Sequence, residues 1–247
     1  MHKNDAGMDK PGTLYLIPTA LGGEDARMIL PQSTLHVLSM LTHFIVENAK
    51  SARHFLKAAG YPHALQGIRM QTLDEHTREA ALAALLAPLV TGQDCGLLSE
   101  AGCPAVADPG AMLIRGAHER GIRVVPFVGP SAILLALMAS GLNGQRFAFH
   151  GYLPVEQEER RKKLRELESE SQRVDRTQIF IETPYRNENA FRAILDACRD
   201  DTLVCLATDL TLESESVRTQ SVEAWRKAPS DLNRRPTVFL LYCVQKR

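Results

Sequence analysis

The chain has 247 residues, 45% of them hydrophobic, which is enough for one large or two small domains, each with its own core. Its 29 Lys and Arg residues balance its 29 Asp and Glu residues, so zero net charge excludes a global attraction to nucleic acid or to an anionic membrane. The longest apolar runs are too short to span a bilayer, and the N-terminal segment lacks the apolar region of a secretory signal. We therefore expect a cytoplasmic protein with no membrane segment, on which any RNA-binding surface is local.

Strand and helix patterns alternate from Thr13 onward, which predicts an α/β fold. The predicted strands of the first part are TLYLIP, THFIVE, CGLLS and IRVVPFV. The predicted helices are one through EDARMIL and STLHVLSM, one from Ser51 to Ala59, and the segments TREAALAALLAPLV, AMLIRGAHER and SAILLALMAS. Gly60 and Gly121 stand where two of these helices stop.

The alternation breaks between Gly141 and Gly151, and we place a domain boundary there. The expected parts are a disordered tail (1–11), an N-terminal α/β domain (12–145) and a C-terminal α/β domain (146–247). In the last part, EQEERRKKLRELESE and RNENAFRAILDAC predict helices, whereas TQIFIE, LVCLAT, ESVRTQ and PTVFLLYC predict strands. Close spacing of the strands from 202 to 219 predicts antiparallel pairing and hence a mixed sheet.

Cysteine and histidine usage argues against disulfides and against a bound metal. The five cysteines occur singly, without a CxxC pair, as is typical of reduced thiols. The eight histidines form neither HExxH nor another ligand spacing. We expect no metal in the site.

Three loops that follow predicted strands are rich in small residues: PTALGG (18–23), the loop within LLSEAGCPAVADPG (97–110) and VGPSA (128–132). In an open α/β sheet, ligands bind outside the carboxyl ends of the strands. Asp108 and Ser131 also fit as caps of the helices that follow. The Ala101-Gly102 pair, in contrast, lets a flat ligand approach the backbone. Since neither GxGxxG nor a Walker A loop occurs, the pattern alone predicts a ligand-binding α/β protein.

Five ordered segments carry a resemblance to a known family: GTLYLIPTALG, LLSEAGCPAVADPG, RVVPFVGPSA, FHGYLP and IFIETPYR. They resemble the successive motifs of the tetrapyrrole methylase superfamily over about residues 12 to 243. The resemblance is closest to the ribosomal RNA small subunit methyltransferase I branch, which 2′-O-methylates a cytidine ribose of 16S rRNA. It implies two α/β domains, S-adenosylmethionine held in the trough between them, and a homodimer.

The resemblance also implies a set of cofactor contacts: Leu21, Ala101, Gly102, Cys103, Val106, Ser131, Ala132, Glu182 and Leu210. Small residues and backbone N–H groups suit adenine and the methionyl carboxylate, and a carboxylate such as Glu182 suits the sulfonium or the acceptor. A ribose hydroxyl is a weak nucleophile that a general base activates, and Glu47 and Glu182 are the candidates. An acid at a strand end is as often a structural hydrogen-bond partner.

The chain departs from that branch mostly at charged positions outside the cofactor loops. PTALGG stands for PTPIGN, SEAGCP for SDAGTP, ENAK (47–50) for EDTR, TDLT (208–211) for RELT, and RPT (235–237) for KGE. At Lys50, a point charge replaces a bidentate guanidinium. The resemblance therefore implies that the cofactor half is kept and that the half facing rRNA is altered.

The sequence leaves three hypotheses for the function. The leading hypothesis is a methyltransferase that uses S-adenosylmethionine and acts on RNA of the small ribosomal subunit. Local basic patches for RNA are RRKK (160–163) and NRRP (233–236). A charged segment such as RRKK more commonly indicates a solvated helix face. Zero net charge and the Pro236-Thr237 step favour a tetrapyrrole or another small acceptor instead. The altered ENAK and TDLT segments favour a cofactor-binding module without catalysis.

Overall fold

The computed structural model describes residues 10–23, 25–74, 77 and 79–244, and the chain separates into two compact units between Pro130 and Ser131. Of the predicted disordered tail, residues 1–9 lie outside the described residues. The division differs from the predicted boundary after residue 145 because the helix SAILLALMAS packs on the strands of the second unit.

The first unit is built on a parallel sheet. Its strands are β1 (Thr13–Ile17), β2 (His43–Val46), β3 (Arg69–Thr72), β4 (Cys95–Leu98) and β5 (Arg123–Pro126). Its helices are α1 (Gln32–Met40), α2 (Ala49–Ala58), α3 (Glu79–Val90) and α4 (Ala111–Glu119). The strand order is β3-β2-β4-β1-β5, and every pair is parallel. All carboxyl ends therefore meet at one edge, where ligands bind in folds of this class.

Local chemistry explains where these elements begin and end. All four residues of β4 are buried, as expected for a central parallel strand covered on both faces. The predicted helix through EDARMIL and STLHVLSM is wrong as a single helix: it is a 3-10 turn at Ala26–Met28 followed by α1. Pro31 stands between the two and has no N–H to continue a helix from the preceding turn.

The second unit is built on a mixed sheet. Its strands are β6 (Phe147–Tyr152), β7 (Thr177–Ile181), β8 (Leu203–Thr208), β9 (Ser216–Ser221) and β10 (Thr237–Tyr242). Its helices are α5 (Ala132–Ser140), α6 (Gln157–Val174), α7 (Asn187–Ala197) and α8 (Val222–Lys227). The strand order is β6-β7-β10-β8-β9, with only β6 and β7 parallel. The prediction of a mixed sheet, and of an α/β fold with two α/β parts, is confirmed.

Each unit has its own core. In the second, the fully buried Trp225 packs edge-on against Phe191 and donates its indole N–H to the carbonyl of Val204 at 2.9 Å. Phe180 and Phe239 stack on neighbouring strands, with ring centroids 5.5 Å apart. In the first, leucines and other apolar side chains cover both faces of the sheet. None of the described helices is long and apolar enough to cross a membrane.

Candidate functional site

The loops that follow β1 and β4 are joined at the carboxyl edge of the first sheet. The N–H of Thr19 donates to the carbonyl of Gly102 at 2.9 Å, and the N–H of Gly102 donates back to the carbonyl of Thr19 at 3.2 Å. The buried hydroxyl of Ser99 donates to the same Gly102 carbonyl at 2.9 Å. These bonds hold the loop after β4 against the loop after β1.

Gly102 occupies a backbone conformation that a larger residue would strain. Its φ is +81°, and a Cβ there would lie 3.2 Å from Cδ2 of Leu21. The neighbouring thiol of Cys103 lies 3.4 Å from the carbonyl oxygen of Pro130, and burial raises the pKa of this thiol. Ala105 and Ala107 have φ of 63° and 64°, which is uncommon for alanine and persists only where the surroundings fix the backbone.

A cleft of about 540 Å³ opens beside this loop pair; we call it the α2 cleft. It lies between residues 19–23, one face of α2 and residues 100–101. Thr19 lines it and is only 2% exposed, and its Oγ1 has no hydrogen-bond partner among the residues described. At the mouth, the hydroxyl of Ser51 donates to Oε1 of Glu100 at 2.9 Å.

Three carboxylates share this edge of the sheet: Glu47 after β2, and Glu100 and Asp108 in the loop after β4. Burial, which is the largest cause, and the charges of Glu47 and Glu100 together raise the pKa of Asp108 to about 7. The expectation that Asp108 caps the following helix is wrong. Gly110, with φ of 146°, holds the cap position of α4, and no side chain bonds there.

Asn48 explains how ENAK starts a helix. Its Oδ1 accepts from the N–H groups of Lys50 at 2.8 Å and of Ser51 at 3.3 Å. An amide oxygen caps a helix as well as a carboxylate does, so Asn in the place of the Asp of EDTR keeps the local fold. Helix α2 accordingly begins at Ala49, two residues before the predicted start.

One face of α2 is basic, which the sequence analysis overlooked. Lys50, Arg53, His54 and Lys57 are exposed and occupy positions i, i+3, i+4 and i+7, so they form one stripe, which we call the α2 stripe. No acidic residue occurs in α2, and none of the four forms an ion pair with a carboxylate in the described part of the chain. The helical spacing of these basic residues is the signal in the sequence that predicts the stripe. Lys50 and His54 also line the α2 cleft.

The basic patch predicted at RRKK is smaller than its composition indicates. Arg160 is 6% exposed and donates to the carbonyls of Pro154 and Val155. Arg161 pairs with Glu158 and, on α7, with Asp196. Only the two lysines of the motif are left to face a polyanion.

In the second unit, the predicted Glu182 follows β7 and is held by a neighbouring arginine. Its side chain is 0% exposed, and Oε2 accepts from Arg186 at 2.9 Å and from the N–H of Thr183 at 3.2 Å. Oε1 is buried and has no hydrogen-bond partner among the described residues. Asn187, also fully buried, donates to the carbonyl of Arg235 at 2.6 Å, while its Oδ1 has no described partner.

Leu210 lies at the same edge of the second sheet, in the turn after β8. The flanking Asp209 and Thr211 have φ of 51° and 72°. Asp209 accepts from Arg235 and from the hydroxyl of Ser214, so TDLT and NRRP are joined by a salt bridge of 2.8 Å. The altered charged positions of these two motifs thus pair with each other.

The predicted cofactor residues fall into separate places. Leu21 and Ala101 line the α2 cleft, Gly102 and Cys103 anchor the loop behind it, and Val106 is 46% exposed in the same loop. In the second unit, the predicted cap at Ser131 forms: its Oγ accepts from the N–H of Leu134 at 3.5 Å, with Ala132 beginning α5. Glu182 and Leu210 share the edge of the second sheet described above.

Solved structures share this fold at low sequence identity. The methyltransferase CobJ has a TM-score of 0.63 and 18% identity, with 96% of each chain covered. Uroporphyrin-III-C-methyltransferase from Thermus thermophilus has a TM-score of 0.53 and 19% identity, with 94% of this chain and 92% of that chain covered. Both likenesses concern the fold alone.

Curated relatives are more similar in sequence. Ribosomal RNA small subunit methyltransferase I of Escherichia coli O157:H7 is 33% identical over 98% of this chain and 80% of its own length. The protein of that name from Mesorhizobium japonicum is 36% identical over 85% of this chain and 68% of its own length. Residues 14–224 match the family model described as Tetrapyrrole (Corrin/Porphyrin) Methylases. The chain therefore belongs to the tetrapyrrole (corrin/porphyrin) methylase family, as its motif series predicts, and is a methyltransferase.

Proposed function

We propose that this protein transfers the methyl group of S-adenosylmethionine to a ribose 2′-hydroxyl of small-subunit ribosomal RNA, in the cytoplasm and as a homodimer. The observation that carries the proposal is the relationship to ribosomal RNA small subunit methyltransferase I proteins across nearly the whole chain. Uroporphyrin-III-C-methyltransferase, whose name mentions a porphyrin, is 19% identical to this chain and shares only the fold. A small acceptor is therefore less well supported.

The residues present fit S-adenosylmethionine, which supplies an electrophilic methyl group when bound. In the first unit, Gly102 has no side chain where a Cβ would meet Leu21, so the backbone of this loop is open to a flat group. In the second unit, buried oxygen atoms of Glu182 and Asn187 lack partners among the described residues. Such acceptors suit the ammonium or hydroxyl donors of a nucleoside amino acid.

The hydroxyl loses a proton on methylation, and the carboxylates at the first edge are the candidates to accept it. Asp108, with a pKa of about 7, joins Glu47 as a candidate because a base works best when its pKa lies near the working pH. Glu182 has one oxygen committed to Arg186 and Thr183, which favours a positioning role for it. We propose that Glu47 or Asp108 takes the proton.

The α2 stripe supports a polyanionic acceptor. Since the net charge is zero, contact with RNA phosphates requires a local concentration of basic side chains. The stripe provides four in a row, and two of them line the α2 cleft. RNA held along α2 would therefore lead toward the carboxyl edge of the first sheet.

The test uses small ribosomal subunits from cells that lack this protein, incubated with the purified protein and methyl-labelled S-adenosylmethionine. We expect label in 16S rRNA at one nucleotide whose 3′ phosphodiester resists alkaline hydrolysis, because the 2′-hydroxyl is blocked. Label in uroporphyrinogen but not in RNA would support the small-acceptor alternative. Tight cofactor binding without transfer to either substrate would support a module without catalysis.

A further inference from the structure

We propose that the α2 cleft receives the base of the methylated nucleotide and that Glu100 recognises an exocyclic amino group on it. The inference rests on the proposed action on RNA and adds a binding site and a specificity residue to it. Sequence-specific recognition of RNA uses bases that are splayed out of their stack, and an extruded base needs a pocket.

The walls of the α2 cleft suit a flat, partly apolar group. Phe55 and Ala26 are buried beneath it, and Leu21 and Ala58 complete the apolar lining. Its volume of about 540 Å³ is within the range of pockets that hold small ligands. Two of its polar groups, Thr19 and Glu100, lie on the side where the loops after β1 and β4 meet. A base would thus bury its faces and turn one polar edge toward that side.

Glu100 is the hydrogen-bond acceptor on that side. Its carboxylate is exposed, and Ser51 holds Oε1 at 2.9 Å. The other oxygen has no hydrogen-bond partner among the residues that the structure describes. A carboxylate accepts from the amino group of cytosine or adenine and faces repulsion from the carbonyl that uracil presents at the equivalent position. The cleft therefore selects for a base that carries an amino group.

Thr19 is the second polar group and points independently to a ligand. The residue is 2% exposed, and its Oγ1 is buried without a hydrogen-bond partner in the described chain. A buried hydroxyl in this state is costly, and a ligand atom would satisfy it. Because two backbone bonds to Gly102 fix Thr19, its hydroxyl stands ready to donate to a ring nitrogen or carbonyl beside the amino group.

Charge distinguishes the acceptor base from the adenine of the cofactor. Lys50 and His54 line the same cleft and continue into the α2 stripe. S-adenosylmethionine has no phosphate, and its one carboxylate is outweighed by a sulfonium and an ammonium cation, so a row of basic side chains suits it poorly. The phosphodiesters on either side of an extruded nucleotide need such contacts. The geometry is thus that of an acceptor site.

The test measures methyl transfer to reconstituted small subunits that carry each of the four bases at the methylated nucleotide. For the unaltered protein we expect kcat/KM to be at least about tenfold higher with an amino-bearing base than with uracil. Glu100→Gln should lower kcat/KM about tenfold or more on the preferred base and reduce the preference, while the Kd of S-adenosylhomocysteine stays within about twofold. Glu119→Gln, an equal change of charge at the far end of α4, should alter neither quantity.

Thr19→Val provides a second variant whose folding is not in question. Removing a buried hydroxyl without a partner should leave Tm unchanged or raise it, yet lower kcat/KM on the preferred base. A purely structural threonine would not give that combination. An unchanged kcat/KM in this variant would count against the proposed hydrogen bond.

Other outcomes overturn the inference in distinguishable ways. If Glu100→Gln weakens S-adenosylhomocysteine binding as much as transfer, the cleft holds the adenine of the cofactor. If the unaltered protein methylates all four bases equally well, RNA is the substrate but Glu100 does not recognise the base. If the unaltered protein transfers no methyl group to RNA at all, the proposed function is wrong and this inference fails with it.

Discussion

The carboxyl edge of the first sheet and the corresponding edge of the second sheet differ in the surroundings of their carboxylates. At the first, Glu47, Glu100 and Asp108 stand close enough to raise the pKa of Asp108, beside an open cleft. At the second, the buried carboxylates are paired, Glu182 with Arg186 and Asp209 with Arg235. A carboxyl group with a raised pKa next to a cleft indicates a site that a ligand completes, whereas a buried carboxylate paired with an arginine indicates a rigid support.

The largest expected effect comes from breaking a pair at the second edge. Arg186→Met removes the partner of a carboxylate that is 0% exposed, so we expect the free energy of unfolding to fall by about 3–5 kcal/mol. Calorimetric unfolding measures the loss. The double variant Arg186→Met, Glu182→Gln should recover much of it, because no uncompensated charge then remains.

Arg161→Met is the matched control for that experiment. Arg161 forms salt bridges with Glu158 and Asp196, whose side chains are 74% and 48% exposed. Exposed pairs contribute about 0–1 kcal/mol, so this variant should unfold close to the unaltered protein. Equal losses of unfolding free energy in the two variants would contradict the distinction between the buried pair of Arg186 and the exposed pairs of Arg161.

The next largest effect concerns the α2 stripe. Replacing Lys50, Arg53 and Lys57 by Ala should weaken RNA binding about 100- to 500-fold at 0.1 M salt, since each phosphate contact contributes about five- to eightfold through counterion release. The slope of log K against log salt should fall by about 2–3. Titration of 16S rRNA at several salt concentrations measures both quantities.

The control for the stripe replaces Lys162, Lys163 and Arg165 on α6, which removes the same charge from a helix that also carries acidic residues. Because those acids already offset the basic side chains, we expect less than half of the loss in slope. An equal loss in both variants would show that RNA binding follows total charge and does not depend on the stripe.

Gly102→Ala should have a smaller effect, which lowers both the free energy of unfolding and the affinity for the cofactor. The backbone at φ +81° disfavours any side chain, and the new Cβ would lie 3.2 Å from Leu21. We expect a loss of about 1–2 kcal/mol in stability, together with weaker binding of S-adenosylhomocysteine. Gly121→Ala, also at positive φ but with open space around it, serves as the control and should lose stability while keeping cofactor affinity.

Most of the fold follows from apolar patterns in the sequence, and the exceptions have physical reasons. β3 was not predicted because Arg69–Thr72 has no apolar alternation; the strand lies at the sheet edge and pairs only with β2. The helix α5 was assigned to the first domain because its sequence is apolar throughout and does not reveal which sheet covers it.

The sequence predicts the candidate site best where a loop motif determines the backbone conformation. It predicts less where the position of a side chain depends on residues distant in the sequence. Gly102 and the cap at Ser131 follow from local residue chemistry. The role of Asp108 does not, because the φ of Gly110 places the cap elsewhere and leaves the carboxyl near Glu47. Asp209 and Arg235 each differ from the residue that the family has at that position, Glu in RELT and Lys in KGE. The two replacements keep the sign of each charge and form a salt bridge with each other.

The smallest expected effect tests the raised pKa of Asp108 at the first edge. The pKa of Asp108 is raised from 3.8 to about 7, so the folded protein holds this proton more tightly than the unfolded chain does. Stability is therefore complete below about pH 4 and declines as the pH rises toward 7, where the folded protein must also ionise. Asp108→Asn removes this decline, and its Tm at pH 8 should exceed that of the unaltered protein by about 2–4 °C, allowing for partial exposure.

Calorimetric scans between pH 4 and pH 8 check this prediction, and the two Tm curves should converge at the acid end. Glu100→Gln is the informative companion because it removes one of the charges that raise the pKa of Asp108. It should shift the decline to lower pH without abolishing it, since burial is the larger cause. Parallel curves for Asp108→Asn and the unaltered protein would mean that folding does not raise the pKa of Asp108.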